Sequence, residues 1–217
     1  MASSDLTHVP SRSRSRRHSP DEARQIISRA AVRFLARRPF RDLTVGELMA
    51  STELSRPAFY QYFRDLHALM ESLLEGLIED ISAVANPWLA GEGDPIVALR
   101  ESLRGVVQVG YEDGPVLRAV SEAAPSDARL ERAWSAFMAH WDHAVAARIE
   151  VQQEQGFVPS LDARSMASAL NALDAAVLIQ AFGRRPRSKP EVVLETLHRV
   201  WVGALYGRAP TRTAPRS

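Results

Sequence analysis

The chain has 217 residues, 46% of them apolar, a formal net charge of +1 and no cysteine. That apolar share supplies a packed core and argues against global disorder. The lack of cysteine excludes disulfide frameworks and thiolate metal sites and fits a reducing cytoplasm, the expected location.

With so little net charge, attraction to nucleic acid has to come from where the charges sit. Residues 1–18 are rich in serine and arginine (Arg12, Arg14, Arg16, Arg17) and have no hydrophobic period, which predicts a disordered basic arm. No apolar block follows the basic stretch, so it does not read as a secretory signal. Nor does any run approach the roughly 20 continuous apolar residues of a membrane span, so no membrane partner is expected.

A small domain is expected over 19–66. Ser19-Pro20-Asp21-Glu22 opens its first helix, with Ser as cap, Pro in the first turn and Glu closing a capping box. Ile26, Ala30 and Phe34 form one row and Ile27, Ala31 and Leu35 the next, a single buried stripe. Pro39 ends it. Thr44 starts a short second helix, paired with Glu47, that turns Val45, Leu48 and Met49 inward and ends near Thr52. A third runs from Ser55 or Arg56 to Phe63.

A larger domain is expected over 67–207, followed by a disordered tail at 208–217. Asp65 caps a helix through about residue 85, with Leu69, Leu73, Leu77 and Ile81 on one face. Two glycines and two prolines between Pro87 and Pro95 predict a loop. Helical patterns then fill 95–111, 115–123, 127–154, 162–182 and 189–206, with Ser126, Ser160 and Ser188 at cap positions and Glu191 three residues after the last. No stretch alternates as a strand does. The fold expected is all-α, about nine helices.

Residues 44–63, two short helices joined by about three residues, have the layout of a helix-turn-helix. Leu54, Phe59 and Phe63 are needed inside, which leaves Arg56, Pro57, Tyr60 and Gln61 outside and Ala58 and Tyr62 at the flanks. Arg can make two hydrogen bonds to a guanine edge and Gln two to adenine. The bland alternative is a pair of bundle helices, but a plain surface favours Glu and Lys over Tyr and Gln.

On the 127–154 helix, Trp134, Met138, Trp141 and Val145 share a face, with Phe137 beside them. Such a stripe can form a core or wall a cavity. Asn171 and Asp174 interrupt the apolar face of Leu170, Leu173, Val177 and Leu178, and a buried amide needs a partner, either a ligand carbonyl or a backbone group. No nucleophile elbow, phosphate loop or dinucleotide glycine pattern is present. His140 and His143 are spaced i, i+3 without a third ligand. No enzyme activity, metal or cofactor is expected.

The run from Leu43 to Phe63 (LTVGELMASTELSRPAFYQYF) resembles the signature of the TetR family of transcriptional regulators. That resemblance implies phosphate contacts for Thr44 and Tyr60 and a groove-facing set of Ser55, Arg56, Pro57, Ala58, Gln61 and Tyr62. Glu53 stands where the family usually has Gly, which implies a strain of about 1 kcal/mol if the position is left-handed. Leu66 stands where it favours Lys, with Arg64 nearby as a substitute.

Ser55-Arg-Pro-Ala-Phe-Tyr60, Trp134-Ser-Ala-Phe-Met-Ala-His-Trp141, Ala169-Leu-Asn171 and Trp201-Val-Gly-Ala-Leu-Tyr-Gly207 are further similar to the ethionamide-resistance regulators, a branch of that family. This likeness implies an apolar tunnel walled by Trp134, Met138, Trp141, Asn171, Ile179 and Trp201, with Phe137 adjoining. Asp174 replaces a second Asn, and Leu99, Val106 and Gly110 replace bulkier aromatics, so a wider or differently shaped pocket is expected.

The helices 162–182 and 189–206 become the dimerisation pair, small on the first (Ala167, Ala169, Ala172, Ala175, Ala176) and apolar on the second (Val192, Val193, Leu197, Val200). Intramolecular packing is the alternative. The function implied is a homodimeric repressor that leaves a pseudo-palindromic DNA operator when an apolar effector binds. The alternative is a helical small-molecule-binding protein or enzyme whose helix-turn-helix no longer works.

Overall fold

The computed structural model describes residues 18–91 and 93–207. The expected basic arm, apart from His18, and the expected tail at 208–217 lie outside the described residues. Eight α-helices are present among the described residues: α1 (Pro20–Leu35), α2 (Val45–Ala50), α3 (Arg56–Tyr62), α4 (Leu66–Ala90), α5 (Pro95–Ala123), α6 (Ala128–Glu154), α7 (Ala163–Phe182) and α8 (Pro190–Leu205). Short 3-10 turns cover Phe40–Asp42 and Ala124–Ser126. No strand occurs among these residues, and the fold is all-α as expected.

The count is eight rather than about nine because 95–111 and 115–123 are one helix. Pro115 sits inside α5 and is buried there. Beside it, a Cβ on Gly114 would come within 2.9 Å of the Phe182 backbone. The glycine lets α5 lie directly on the end of α7, and that contact outweighs the roughly 3 kcal/mol preference against an interior proline.

The expected loop at 87–95 is shorter for a related reason. α4 continues through Pro87 to Ala90 and ends on Gly91, whose φ of 80° is the left-handed cap that glycine supplies. The helix around the proline is braced from outside. Ser102 on α5 accepts the Trp88 N–H at 3.0 Å and donates to the Ala85 carbonyl at 3.0 Å.

Ser19 and Glu22 form the full reciprocal capping box. Thr44 accepts the Glu47 N–H, but Glu47 turns to the Thr44 hydroxyl and to Arg38 instead of the cap backbone. The caps expected at Ser126 and Ser160 belong to Asp127 and Asp162, and α8 starts at Lys189 with no side-chain cap rather than at Ser188. A carboxylate is favoured over a hydroxyl here because its charge suits the helix N-terminus, and Asp127 Oδ1 accepts from both Arg129 and Leu130.

Two cores result. Ile27, Ala31, Leu48, Phe59, Phe63 and Leu69 close the small one around α1–α3. The larger is built on α4–α8 and contains Met70, Leu77, Leu99, Val120, Ile149 and Leu197. α4 contributes to both, so it is the physical bridge.

α7 is the one helix among the described residues that is long and apolar enough to cross a membrane by length and composition alone, with a mean hydropathy of 1.3. It packs on α5, α6 and α8, yet only 33% of that stretch is buried.

Candidate DNA-binding face and apolar cavity

α3 is held by its buried aromatics. Phe59 is fully enclosed, and Phe63 lies 5.7 Å from it, ring centre to ring centre. With those positions inward, Ser55, Arg56, Pro57, Tyr60 and Gln61 are exposed on the opposite side, Tyr60 to 54%. Ala58 and Tyr62 are half-buried at its flanks. Thr44 is exposed at the start of α2, and its hydroxyl is engaged in capping. Arg64 is exposed just past α3 and leans on Asp65 at 3.3 Å. Leu66 is half-buried against the small core, where a lysine would have to give up its hydration.

The turn does not use the left-handed conformation at Glu53. No non-glycine residue among those described has positive φ. The Thr52 hydroxyl closes the turn instead, donating to the Met49 carbonyl at 2.9 Å and accepting the Leu54 N–H at 3.2 Å. The strain expected from replacing Gly therefore does not arise. Glu53 is free to pair with His18, 3.1 Å away, which ties the start of α1 to the turn.

The second feature is a cavity of about 90 Å³ lined by α4 to α8. A water needs roughly 10–15 Å³ on this measure, so the space suits a small organic molecule. Leu99, Val106, Phe137, Met138, Trp141, Asn171, Asp174 and Trp201 line it. Three expected wall residues do not. Trp134 is stacked on Phe137 at 5.6 Å. Gly110 is packed so closely on Leu178 that a Cβ would lie 2.8 Å from it. Ile179 is half-buried against the large core.

The sequence reading missed the α4 wall, which is Ile81, Ala85, Trp88 and Leu89. Ile81, Ala85 and Trp88 follow i, i+4, i+7, a signal that was legible but cut short by reading Pro87 as a loop.

Polar groups in this wall are few and mostly committed. Trp88 Nε1 donates to Tyr206 at 2.9 Å, and the Tyr206 hydroxyl donates in turn to Gln152 Oε1 at 2.7 Å. Asn171 Nδ2 donates to Asp142 at 2.8 Å, which satisfies one of its two N–H groups. Trp201 Nε1 donates to Asp174 Oδ1 at 3.0 Å. The Trp141 Nε1–H is buried with no partner among the described residues. Asp174 is 8% exposed, and burial pushes its carboxyl up to about 7, opposed only by the Trp201 hydrogen bond. The lining thus offers one carboxyl, the unpartnered Trp141 N–H and the remaining amide groups of Asn171 in aromatic surroundings.

Two ionic joints connect the halves. Arg118, 5% exposed on α5, donates through Nε to the Gly183 carbonyl at 2.9 Å, through a second nitrogen to Glu122 at 3.0 Å, and through a third to the Leu35 carbonyl. It therefore joins the end of α1 to the end of α7. On the other side, Arg129 grips Asp65 at 2.9 Å and Glu71 at 2.6 Å. Burial raises the Asp65 carboxyl, but the Ala68 N–H and the Arg129 guanidinium together outweigh that and bring it to about 2.

Residues 27–73 match the family described as bacterial regulatory proteins, tetR family, and residues 99–207 match the C-terminal domain of transcriptional regulator EthR. The HTH-type transcriptional regulator EthR of Mycolicibacterium smegmatis is 30% identical over 217 residues, covering 99% of this chain and 100% of the relative. The chain belongs to the TetR family. It is a DNA-binding transcriptional regulator of the EthR kind, and α2–α3 is its helix-turn-helix.

Solved structures share the fold of this TetR-family regulator. A TetR-family protein from Syntrophomonas wolfei superposes with a TM-score of 0.75 at 18% identity, covering 89% of this chain and 100% of that one. AibR, solved with isovaleryl coenzyme A and operator DNA, gives 0.65 at 14% identity, covering 87% and 100%.

Proposed function

We propose that this regulator is a cytoplasmic homodimeric repressor, released from a pseudo-palindromic operator when a largely apolar small molecule fills the α4–α8 cavity. The observation that carries this reading is that α4 lines the cavity and also closes the small core on which α3 rests. A ligand that shifts α4 shifts the recognition helix with it. AibR supports the reading by analogy, as a protein of this fold solved with both a small molecule and operator DNA.

On the DNA side, Arg56 and Gln61 read base edges, Ser55, Pro57, Ala58 and Tyr62 fit the groove, and Thr44, Tyr60 and Arg64 hold phosphates. On the ligand side the residues are those that line the cavity. The dimer forms through α7 and α8. Ala169, Ala172 and Ala176 leave a small, uncovered strip on α7, and Val192 and Val200 are 60% and 40% exposed on α8. Two-fold pairing of these faces would cover them and set two α3 helices about one DNA turn, roughly 34 Å, apart or a multiple of it.

The test is a salt-dependent titration against DNA flanking the protein's own gene, with scrambled DNA alongside. Selective binding that falls steeply with salt is expected. Arg56→Ala should lose about 1–3 kcal/mol at one base position and relax specificity there. Uniform weakening across all sequences would instead make Arg56 a phosphate contact. If a random-sequence selection also finds no preferred site, the reading is wrong.

A further inference from the structure

We infer that the molecule selected by this cavity is an organic amine, apolar apart from one protonated nitrogen that lies against the Asp174 carboxylate. The inference rests on the small-molecule reading of the cavity and deepens it by naming the ligand's chemical class.

The argument begins with the composition of the wall. Of the eighteen residues that line the space, Asp174 is the only ionisable one. The rest are aliphatic, aromatic or neutral polar, and no lysine, arginine or histidine is among them; the shift at Asp174 comes from burial, opposed by the Trp201 hydrogen bond. Asp142 on α6 is joined to Asn171, one turn before Asp174 on α7, and Asp174 receives a single hydrogen bond, from Trp201. A carboxyl at 8% exposure with one neutral donor is poorly compensated as an anion. That burial raises its proton affinity into the neutral range. A ligand bringing a positive charge would remove the penalty at one stroke.

The surroundings suit such a charge. Trp88, Trp141, Trp201 and Phe137 line the same space, and Trp88 and Trp201 meet edge to face at 5.6 Å. Aromatic faces attract cations, and Trp does so best. Ile81, Leu99, Leu103 and Leu178 in the same lining suit an aliphatic or aryl tail. A carboxylate ligand is repelled. A neutral carbonyl ligand is the competing class, since a protonated Asp174 can donate to it, and the two classes carry opposite pH signatures. Binding an ammonium requires the ionised carboxyl, so affinity rises with pH. Binding a carbonyl requires the protonated one, so affinity falls.

The experiment is calorimetric titration of the full chain with 4-phenylbutylamine, the alcohol 4-phenylbutan-1-ol and 4-phenylbutanamide, between about pH 5.5 and 7.5. Expected at the upper end is at least a tenfold preference for the amine over the alcohol, as for a charge-assisted hydrogen bond against a neutral one. Amine affinity should rise several-fold across the window with release of a proton, while alcohol affinity stays level. Asp174→Asn should abolish the preference and the pH slope, yet keep alcohol affinity within about threefold, because an amide oxygen still accepts from Trp201.

The wild-type comparison stands without any variant. Equal binding of amine and alcohol, amine affinity that falls with pH, tightest binding by the amide, or an amine preference retained in Asp174→Asn would each overturn the inference. In those cases the cavity still binds a small molecule. Binding of none of the three compounds would overturn it together with the small-molecule reading.

Discussion

The recognition helix and the cavity are both organised around aromatic side chains, and they use them in opposite ways. On α3, Phe59 and Phe63 are buried so that Tyr60 and Gln61 can be exposed; the core exists to present a polar surface. In the cavity, Trp88, Trp141 and Trp201 are buried around a space, and the one ionisable group in its lining is the Asp174 carboxyl. A polyanion as long as DNA is met by exposed donors that stay hydrated until contact, and affinity comes from many weak, salt-sensitive contacts. A small molecule offers few contacts, so each must be desolvated to count.

The two regions communicate only if something rigid joins them, and the buried Arg118 joint is the first to test. Arg118→Ala removes the donors to the Gly183 and Leu35 carbonyls at a site only 5% exposed. A loss of about 2–4 kcal/mol in chemical denaturation is expected, from charged hydrogen bonds lost and carbonyls left unpaired. Operator affinity should become less responsive to effector, since the end of α1 is no longer tied to the end of α7. Unchanged stability would mean water or a neighbouring arginine replaces the joint, and the two halves couple through α4 alone.

The next test sharpens the difference in burial. The Asp174 carboxyl sits at about 7 in the folded chain, above its unfolded value near 4. Its contribution to stability is therefore full below about pH 4 and is lost as pH rises toward 7, on the order of 1–3 kcal/mol. Asp113, raised to about 6 by burial and by Asp80 and Glu112, acts in the same direction. Asp65 acts oppositely and elsewhere: held at about 2, it loses its contribution as pH falls from about 4. Denaturation midpoints against pH should show that Asp174→Asn flattens only the upper window. A slope unchanged by the substitution would mean the carboxyl is already well solvated.

The sequence revealed what short-range physics controls. The Ser19–Glu22 box, the inward Phe59–Phe63 pair and the exposed Arg56–Gln61 face depend on neighbours within one or two turns, and all are present. The misreadings depended on distant residues. Pro87 reads as a break unless Ser102, fifteen positions later, is known to brace the helix there. Pro115 reads as a break unless Gly114 is known to rest on Phe182. Asn171, whose amide needs a partner, finds one in Asp142 on α6, which accepts one of its N–H groups. Each turned on a tertiary partner, and no periodicity encodes those.

The smallest expected effect concerns the turn, where family resemblance and local geometry give opposite answers. The resemblance places Gly at position 53 and suggests that Glu53→Gly should relieve strain. The geometry says there is none to relieve, because no described residue other than glycine has positive φ and Thr52 closes the turn through its side chain. Glycine would then add only chain entropy to the unfolded state, worth about 0.5–1 kcal/mol against folding. It would also remove the exposed pair with His18, worth little at a surface. Glu53→Gly should thus destabilise by about that amount and leave operator affinity nearly unchanged. Stabilisation instead would show that the turn prefers the left-handed form once a glycine allows it. In that case Thr52→Ala, harmful in the parent chain, should become harmless in the glycine variant.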